Sequence, residues 1–298
     1  MPMSKLLVHI SYPKTGSSYM QVWFSQHPAL KYSNKSVAGF HNAWEIETYS
    51  LDSENRHEYF VSKLSAIGWR GNVNIVGAKF NDFDVASYHE TLSNTISKLF
   101  PGAKILIVTR GFSSMLRSLF SEYIVSGGIL RFDEWYSANI KLISLMYNYD
   151  HLARVFQQAF GKENVILMPY ELLRDEPLKY TVAIEKQLGL SQSFTLPERR
   201  INAGADVKYL EATLRISGLL HKMVKPFPFV VQKAAFGYYS RFLNRRKDNR
   251  VVNFIAGFLQ SGIEIKIGEE RLAPFIGKAE AFRKEDLYQP YLKEYFLM

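Results

Sequence analysis

Tyr12-Pro13-Lys14-Thr15-Gly16-Ser17-Ser18-Tyr19 puts a cation, three hydroxyls and a glycine into one short stretch, directly after the apolar run Leu6-Leu7-Val8-His9-Ile10. An apolar run that ends in Pro and Gly and gives way to helical spacing from Gln21 to Gln26 predicts a strand, a turn and a helix start. Backbone N–H groups converge at such a start, and with Lys14 and the hydroxyls beside them they suit phosphate or sulfate. The residue order excludes a Walker A loop, in which the lysine follows the second glycine; here Lys14 precedes Gly16. Ordinary ATPase or kinase chemistry is disfavoured accordingly. A plain surface turn rich in small polar residues is the alternative.

A second segment, Lys104-Ile105-Leu106-Ile107-Val108-Thr109-Arg110, reads as a buried parallel strand that ends in a charge. Gly111-Phe112-Ser113-Ser114 follows, then helical spacing from Met115 to Ile124. Arginine at the C-terminal end of a strand faces the ligand crevice of an open α/β sheet. Ser118 comes eight residues later, about 12 Å along a helix axis. A guanidinium fork and a hydroxyl suit one phosphate; taken singly, Arg110 is an ion-pair residue, Ser118 a helix-surface residue, and Arg117 a solvated helix charge. A third strand, Asn164 to Met168, leads into Pro169-Tyr170-Glu171-Leu172-Leu173. Tyr19 and Tyr170 each offer an apolar face with a polar tip, which fits a base-stacking ring and a core aromatic alike.

Taken in this order, the three segments resemble sulfotransferases that use 3′-phosphoadenosine 5′-phosphosulfate (PAPS). Pro-Lys-Thr-Gly-Ser-Ser is similar to their 5′-phosphosulfate loop, the strand with Arg110 and Ser118 to their 3′-phosphate segment, and Tyr170-Glu171-Leu172-Leu173 to a Tyr-Glu-x-Leu element beside the adenine. The resemblance spans about residues 5–180 and is closer to the bacterial and glycan-type members than to the cytosolic small-molecule branch. It implies that Lys14, Thr15, Gly16, Ser17 and Ser18 hold the 5′ end, with Lys14 neutralising the leaving bridge oxygen. It also implies that Arg110 and Ser118 hold the 3′-phosphate and that Tyr19 and Tyr170 flank the base. Arg200-Ile201-Asn202 is similar to an Arg-x-Asn element of some members and makes Arg200 a candidate for a further cation. The Arg-Lys-Gly and Gly-Asp-Trp loop of the cytosolic branch is absent, and Arg283-Lys284 is not followed by glycine.

Transfer to a hydroxyl also needs a general base. The family's Lys-Thr-His run after the second strand has no counterpart, since the comparable place reads Val76-Gly77-Ala78-Lys79-Phe80-Asn81. The Lys-Glu or Gly-Glu pair of glycan sulfotransferases is missing from Asn34-Lys35-Ser36. The nearest ionisable candidates are His41, Glu45 and Glu47, of which His41 and Glu45 share a face if the segment is helical; a solvated helix start is the plain alternative. Lys79 is a further charge stabiliser or an ordinary surface cation. His9, inside the first strand, reads as a core residue. The scheme requires no metal, and no His/Cys/carboxylate spacing suggests one.

These residues need a scaffold. The 298 residues, 47% of them hydrophobic, can bury one large core. Apolar strands near 6–10, 73–77, 104–109 and 164–168 alternate with helical segments, which predicts an α/β, three-layer P-loop-like fold: a central parallel sheet flanked by helices, plus a helical C-terminal region. The expected organisation is one domain over 1–298, with its core in about 1–205 and an elaboration over about 206–298. No apolar run reaches bilayer-spanning length, and Lys14 follows Leu6–Ile10 too soon for a signal peptide. With no cysteine, disulfides and thiol catalysis are excluded, and a cytoplasmic location is expected. The net charge of +9 favours anionic partners. It concentrates in about 219–260, where basic and aromatic residues interleave, so that this stretch either rests on an anionic membrane or caps the sheet. Nucleic acid is not expected as a partner. The expected acceptor is a carbohydrate or glycolipid hydroxyl, with a small secondary metabolite as the alternative; a non-catalytic nucleotide-binding relic is the rival from outside enzymology.

Overall fold

Strands buried on both faces are apolar nearly throughout, and three such runs lie side by side in the sheet. The computed structural model describes residues 6–12, 14–32, 61–65, 85–191, 193–196, 205–244 and 249–296. Strands β1 (Leu7–Ser11), β2 (Val61–Ser65), β3 (Lys104–Thr109) and β4 (Val165–Pro169) lie parallel in the order β2-β1-β3-β4. Leu7 aligns with Lys104 and with Val61, and Ile105 with Val165. Three of these strands match the apolar runs read from the sequence. The strand expected at 73–77 lies outside the described residues, as do His41, Glu45, Glu47, Lys79 and Arg200. β2 reads Val-Ser-Lys-Leu-Ser, with no continuous apolar run to announce it.

The described residues of Met1–Phe112, Lys141–Ile201 and Leu272–Met298 form one compact unit, and those of Ser113–Ile140 and Asn202–Arg271 another. Residues 206–298 therefore fall in both.

In the first unit, helix α1 (Ser17–Gln26) buries Met20, Trp23 and Phe24, spaced i, i+3 and i+4. It starts ahead of Gln21 because Gly16 opens it; Ser17, Ser18 and Tyr19 carry no apolar period. Trp23 Nε1 donates to the Phe194 carbonyl at 2.8 Å and ties the helix to a distant segment. Helix α2 (Val85–Leu99) comes before β3 in the chain. Helices α3 (Phe112–Val125) and α4 (Phe132–Met146) follow β3, with residues 113–125 and 132–140 belonging to the second unit. Helix α5 (Tyr149–Phe160) is capped by Asn148, whose side chain accepts from His151 N–H. It packs on β3, β4 and α2. Helices α6 (Tyr170–Asp175) and α7 (Pro177–Leu188) pack on β4. Pro177 starts α7, where its missing N–H costs nothing, and Gly189 ends it in the left-handed conformation.

In the second unit, helices α8 (Val207–Val224), α9 (Phe229–Asn244) and α10 (Arg250–Gly257) enclose Tyr209, Ala212, Tyr239, Val252 and Ala256. Asp206 caps α8 through Lys208 N–H, and Asn249 caps α10 through Val251 and Val252 N–H. Glu211 is buried within this unit. Arg131 grips its carboxylate with two bonds, at 3.1 and 3.2 Å, and Arg215 adds a third at 2.7 Å. Burial alone would raise this carboxyl's pKa, but the two guanidinium groups outweigh burial and hold it below the ordinary value. The stability it contributes is thus present above the ordinary carboxylate pKa of about 4.3 and is lost as pH falls through the depressed value. Glu211→Gln is expected to cost about 1–2 kcal/mol at neutral pH, and chemical denaturation should show the gap to wild type closing in acid.

Candidate functional site

The turn between β1 and α1 is built from two left-handed residues. Lys14 has φ 66°, the positive-φ non-glycine residue among the described residues, and Gly16 has φ 75°. For a lysine this costs about 1 kcal/mol, so the surroundings must hold it there. Thr15, fully buried, donates its hydroxyl to the Tyr12 carbonyl at 2.7 Å and closes the turn from within. Gly16 is required twice over. Besides its φ, a Cβ at this position would lie 2.4 Å from Leu173 Cδ2 and 3.2 Å from Tyr170 Cε2.

Helix α1 therefore begins at a residue without a side chain. No side chain caps it, and no acidic residue sits in its first turn. Its first intrahelical bond is Met20 N–H to Gly16 O, at 3.2 Å. The N–H groups before Met20 and the positive end of the helix dipole thus remain directed at the turn, beside the hydroxyls of Ser17 and Ser18. Tyr19 is half-buried next to them, and burial raises its phenol pKa.

The strand ends supply the other walls. Arg110 leaves β3 and donates from a guanidinium NH to the Lys14 carbonyl at 2.6 Å, and that guanidinium lies over the Tyr170 ring, 4.5 Å from its centroid. The cation, the turn and the aromatic, read from three separate segments, thus meet at one place. Ser118 lies on α3 in the second unit. His9 is buried in β1, edge-on to Phe24 at 5.6 Å. Among the described residues, no group of three His, Asp or Glu side chains is placed to hold a metal.

Sequence reading missed the residues that hold Arg110 still. Tyr149 clamps its backbone from both sides: the phenol donates to the Arg110 carbonyl at 2.6 Å and accepts from its N–H at 3.3 Å. The Tyr149 ring stacks on Phe112 at 5.1 Å and meets Tyr12 edge-on at 5.0 Å, while Tyr12 stacks on Tyr147 at 4.7 Å. Burial pushes all three phenols well above the ordinary tyrosine pKa. They are therefore neutral rather than bases: Tyr12 and Tyr147 pack, and Tyr149 donates. Tyr12 sits directly after β1, the position facing the crevice, which is the one signal that could have marked it.

Next along the chain, Gly111 N–H donates at 3.0 Å to Glu171, which is 0% exposed. The other carboxylate oxygen accepts from Tyr295 at 2.8 Å. Thr109 lies 3.0 Å from the Tyr295 hydroxyl and 2.9 Å from that of Tyr288. With one proton per hydroxyl, the donors must run from Tyr288 to Thr109 to Tyr295 to Glu171. A Cβ at Gly111 would lie 2.6 Å from Glu294 Cβ, so backbone and C-terminal segment meet without room for a side chain.

Two outcomes follow from this geometry. Gly16→Ala should lower stability by about 1–3 kcal/mol, from the forced φ and the overlap with Leu173, and thermal unfolding measures it. Burial raises the Glu171 pKa despite its hydrogen bonds. A raised carboxylate adds stability below its ordinary pKa and loses it as pH rises through the raised value. The stability of wild type relative to Glu171→Gln should thus fall from acid towards neutral pH in denaturant titrations at several pH values.

No family model matches the sequence, and no curated protein matches it. Among solved structures, the chain is similar to a sulfotransferase from Alicyclobacillus acidocaldarius at 17% identity and TM-score 0.47, covering 78% of this chain and 100% of that one. It is also similar to mouse sulfotransferase SULT7A1 complexed with PAP, at 13% identity and TM-score 0.46, covering 98% of this chain and 89% of that one.

Proposed function

We propose that this protein is a PAPS-dependent sulfotransferase acting on an acceptor hydroxyl, on a carbohydrate or glycolipid. The observation that carries this reading is the α1 start: an uncapped helix N-terminus, free of acid in its first turn, entered through left-handed Lys14 and Gly16 and walled by Arg110 and Tyr170. The donor set fits a nucleotide whose two ends are both anionic, because it pairs backbone N–H groups and hydroxyls with two separate cations. Bound there, PAPS supplies a sulfuryl group whose bond to the phosphosulfate bridge oxygen breaks as one to the acceptor oxygen forms, while the acceptor's proton passes to a base.

Lys14 compensates the charge that collects on the bridge oxygen, a role in which a fixed cation favours the transition state over the ground state. Ser17, Ser18 and the first N–H groups of α1 hold the 5′-phosphate. Arg110 holds the 3′-phosphate and supports Tyr170, which with Tyr19 offers an aromatic face to the base. The proton acceptor is proposed from outside the described residues, as His41 or Glu45. The carbohydrate or glycolipid acceptor rests on the sequence alone, which lacks the histidine and the Gly-Asp-Trp loop of the small-molecule branch.

Isothermal titration with 3′-phosphoadenosine 5′-phosphate should show micromolar binding that Arg110→Ala weakens roughly tenfold or more. Lys14→Ala should keep part of that binding and lose sulfuryl transfer from PAPS. Absence of binding by the wild-type chain overturns the assignment, and undiminished turnover in Lys14→Ala removes Lys14 from the chemistry.

A further inference from the structure

The turn joining α8 to α9 carries apolar side chains that no core uses. Leu219 and Met223, one helical turn apart near the end of α8, are 61% and 64% exposed. Phe227 in the connecting turn is 54% exposed, and Phe229 and Val230 at the start of α9 are 75% and 76% exposed. The opposite faces of the same helices are spent on the Tyr209, Ala212 and Tyr239 cluster, so the outward residues are left over from packing. Scattered exposed apolar residues need no explanation, but five gathered at one helix–helix corner do.

The corner is stiff as well as greasy. Pro226 and Pro228 bracket Phe227 and fix two backbone angles. The Gln232 side-chain amide donates to the carbonyls of Phe227, at 2.7 Å, and of Lys225, at 3.2 Å. Its charge has one sign. Lys222 and Lys225 are exposed on it, and no Asp or Glu occurs between Glu211 and Asp248.

We infer that this corner docks on the surface of an anionic membrane, with Phe227, Phe229 and Val230 entering the headgroup–acyl boundary and Lys222 and Lys225 meeting lipid phosphates. Apolar insertion and cation–phosphate attraction are the two forces such a surface offers together. A second copy of this chain is the poorer occupant, because a two-fold contact sets the same lysines of both copies against one another. No helix among the described residues is long and apolar enough to cross a membrane, so the contact is with the surface. Preset backbone geometry keeps the ordering cost of docking small. The inference is independent of the sulfuryl-transfer reading.

Vesicle flotation of the full chain tests it. Wild type should bind phosphatidylcholine vesicles containing phosphatidylglycerol roughly tenfold more tightly than phosphatidylcholine alone, with the advantage shrinking as salt rises. Phe229→Ser with Val230→Ser should weaken binding to both vesicle types by about tenfold or more, and Lys222→Ser with Lys225→Ser should remove only the anionic preference. Thermal melting identifies any variant that fails to fold, and the second pair then stands alone as the test. Failure of wild type to bind anionic vesicles overturns the proposal, as does equal binding by wild type and folded variants. Lipid-free self-association that Phe229→Ser with Val230→Ser abolishes also overturns it, in favour of a second copy.

Discussion

The bond from Arg110 to the Lys14 carbonyl is what makes the turn after β1 possible. A lysine does not hold φ 66° by preference, and an arginine at the end of a buried strand does not turn its fork towards backbone without a frame around it. Each is held by the other at 2.6 Å, and the pair is braced by Tyr170 beneath the guanidinium. The remaining parts of the first unit serve this junction. Parallel pairing of β1 with β3 brings the two strand ends level, since Ser11 aligns with Val108. β4, aligned with β3 on the far side, delivers Tyr170 and Leu173 from the helix that follows it.

Holding a charged side chain in place at the rim requires neutral polar groups behind it. Tyr149 and Glu171 satisfy consecutive backbone groups, those of Arg110 and Gly111, just past the end of β3. Glu211 and Glu171, both buried, show how environment divides one residue type. Glu211, gripped by two arginines, is kept ionised; Glu171, facing a backbone N–H and a phenol, is pushed towards its neutral form. One behaves as half of an ion pair and the other as a structural acceptor.

Much of this junction was legible in the residues. Lys14, Gly16, Arg110 and Tyr170 each stand next to an apolar run, and adjacency to a strand end is a local property that sequence displays. The helix start at Ser17 was less legible, because an uncapped, polar first turn has no periodic signal. Tyr149, Tyr295 and Tyr288 were not legible at all. Nothing local distinguishes them in a chain with 18 tyrosines, and their role arises from pairings with Arg110, Glu171 and Thr109 across long separations. β2 escaped notice for a related reason: a mostly polar Val-Ser-Lys-Leu-Ser strand at one end of the described sheet lacks the unbroken apolar run that marks β3.

The run of hydroxyls from Tyr288 through Thr109 and Tyr295 to Glu171 also orders the protein in time. Leu7 must find Lys104, and Ile105 must find Val165, before any sheet exists, and such distant closures are slow compared with helix formation. Even a complete sheet leaves Thr109 and Glu171 without the phenols of Tyr288 and Tyr295. During synthesis the turn after β1 emerges long before Tyr288 and Tyr295, which complete the groups that brace it. Until then the nascent chain holds a strand-end hydroxyl and a carboxylate whose phenol partners are still to come, a state that invites chaperone capture and aggregation. Loss of the segment that carries Tyr295 would make that transient condition permanent.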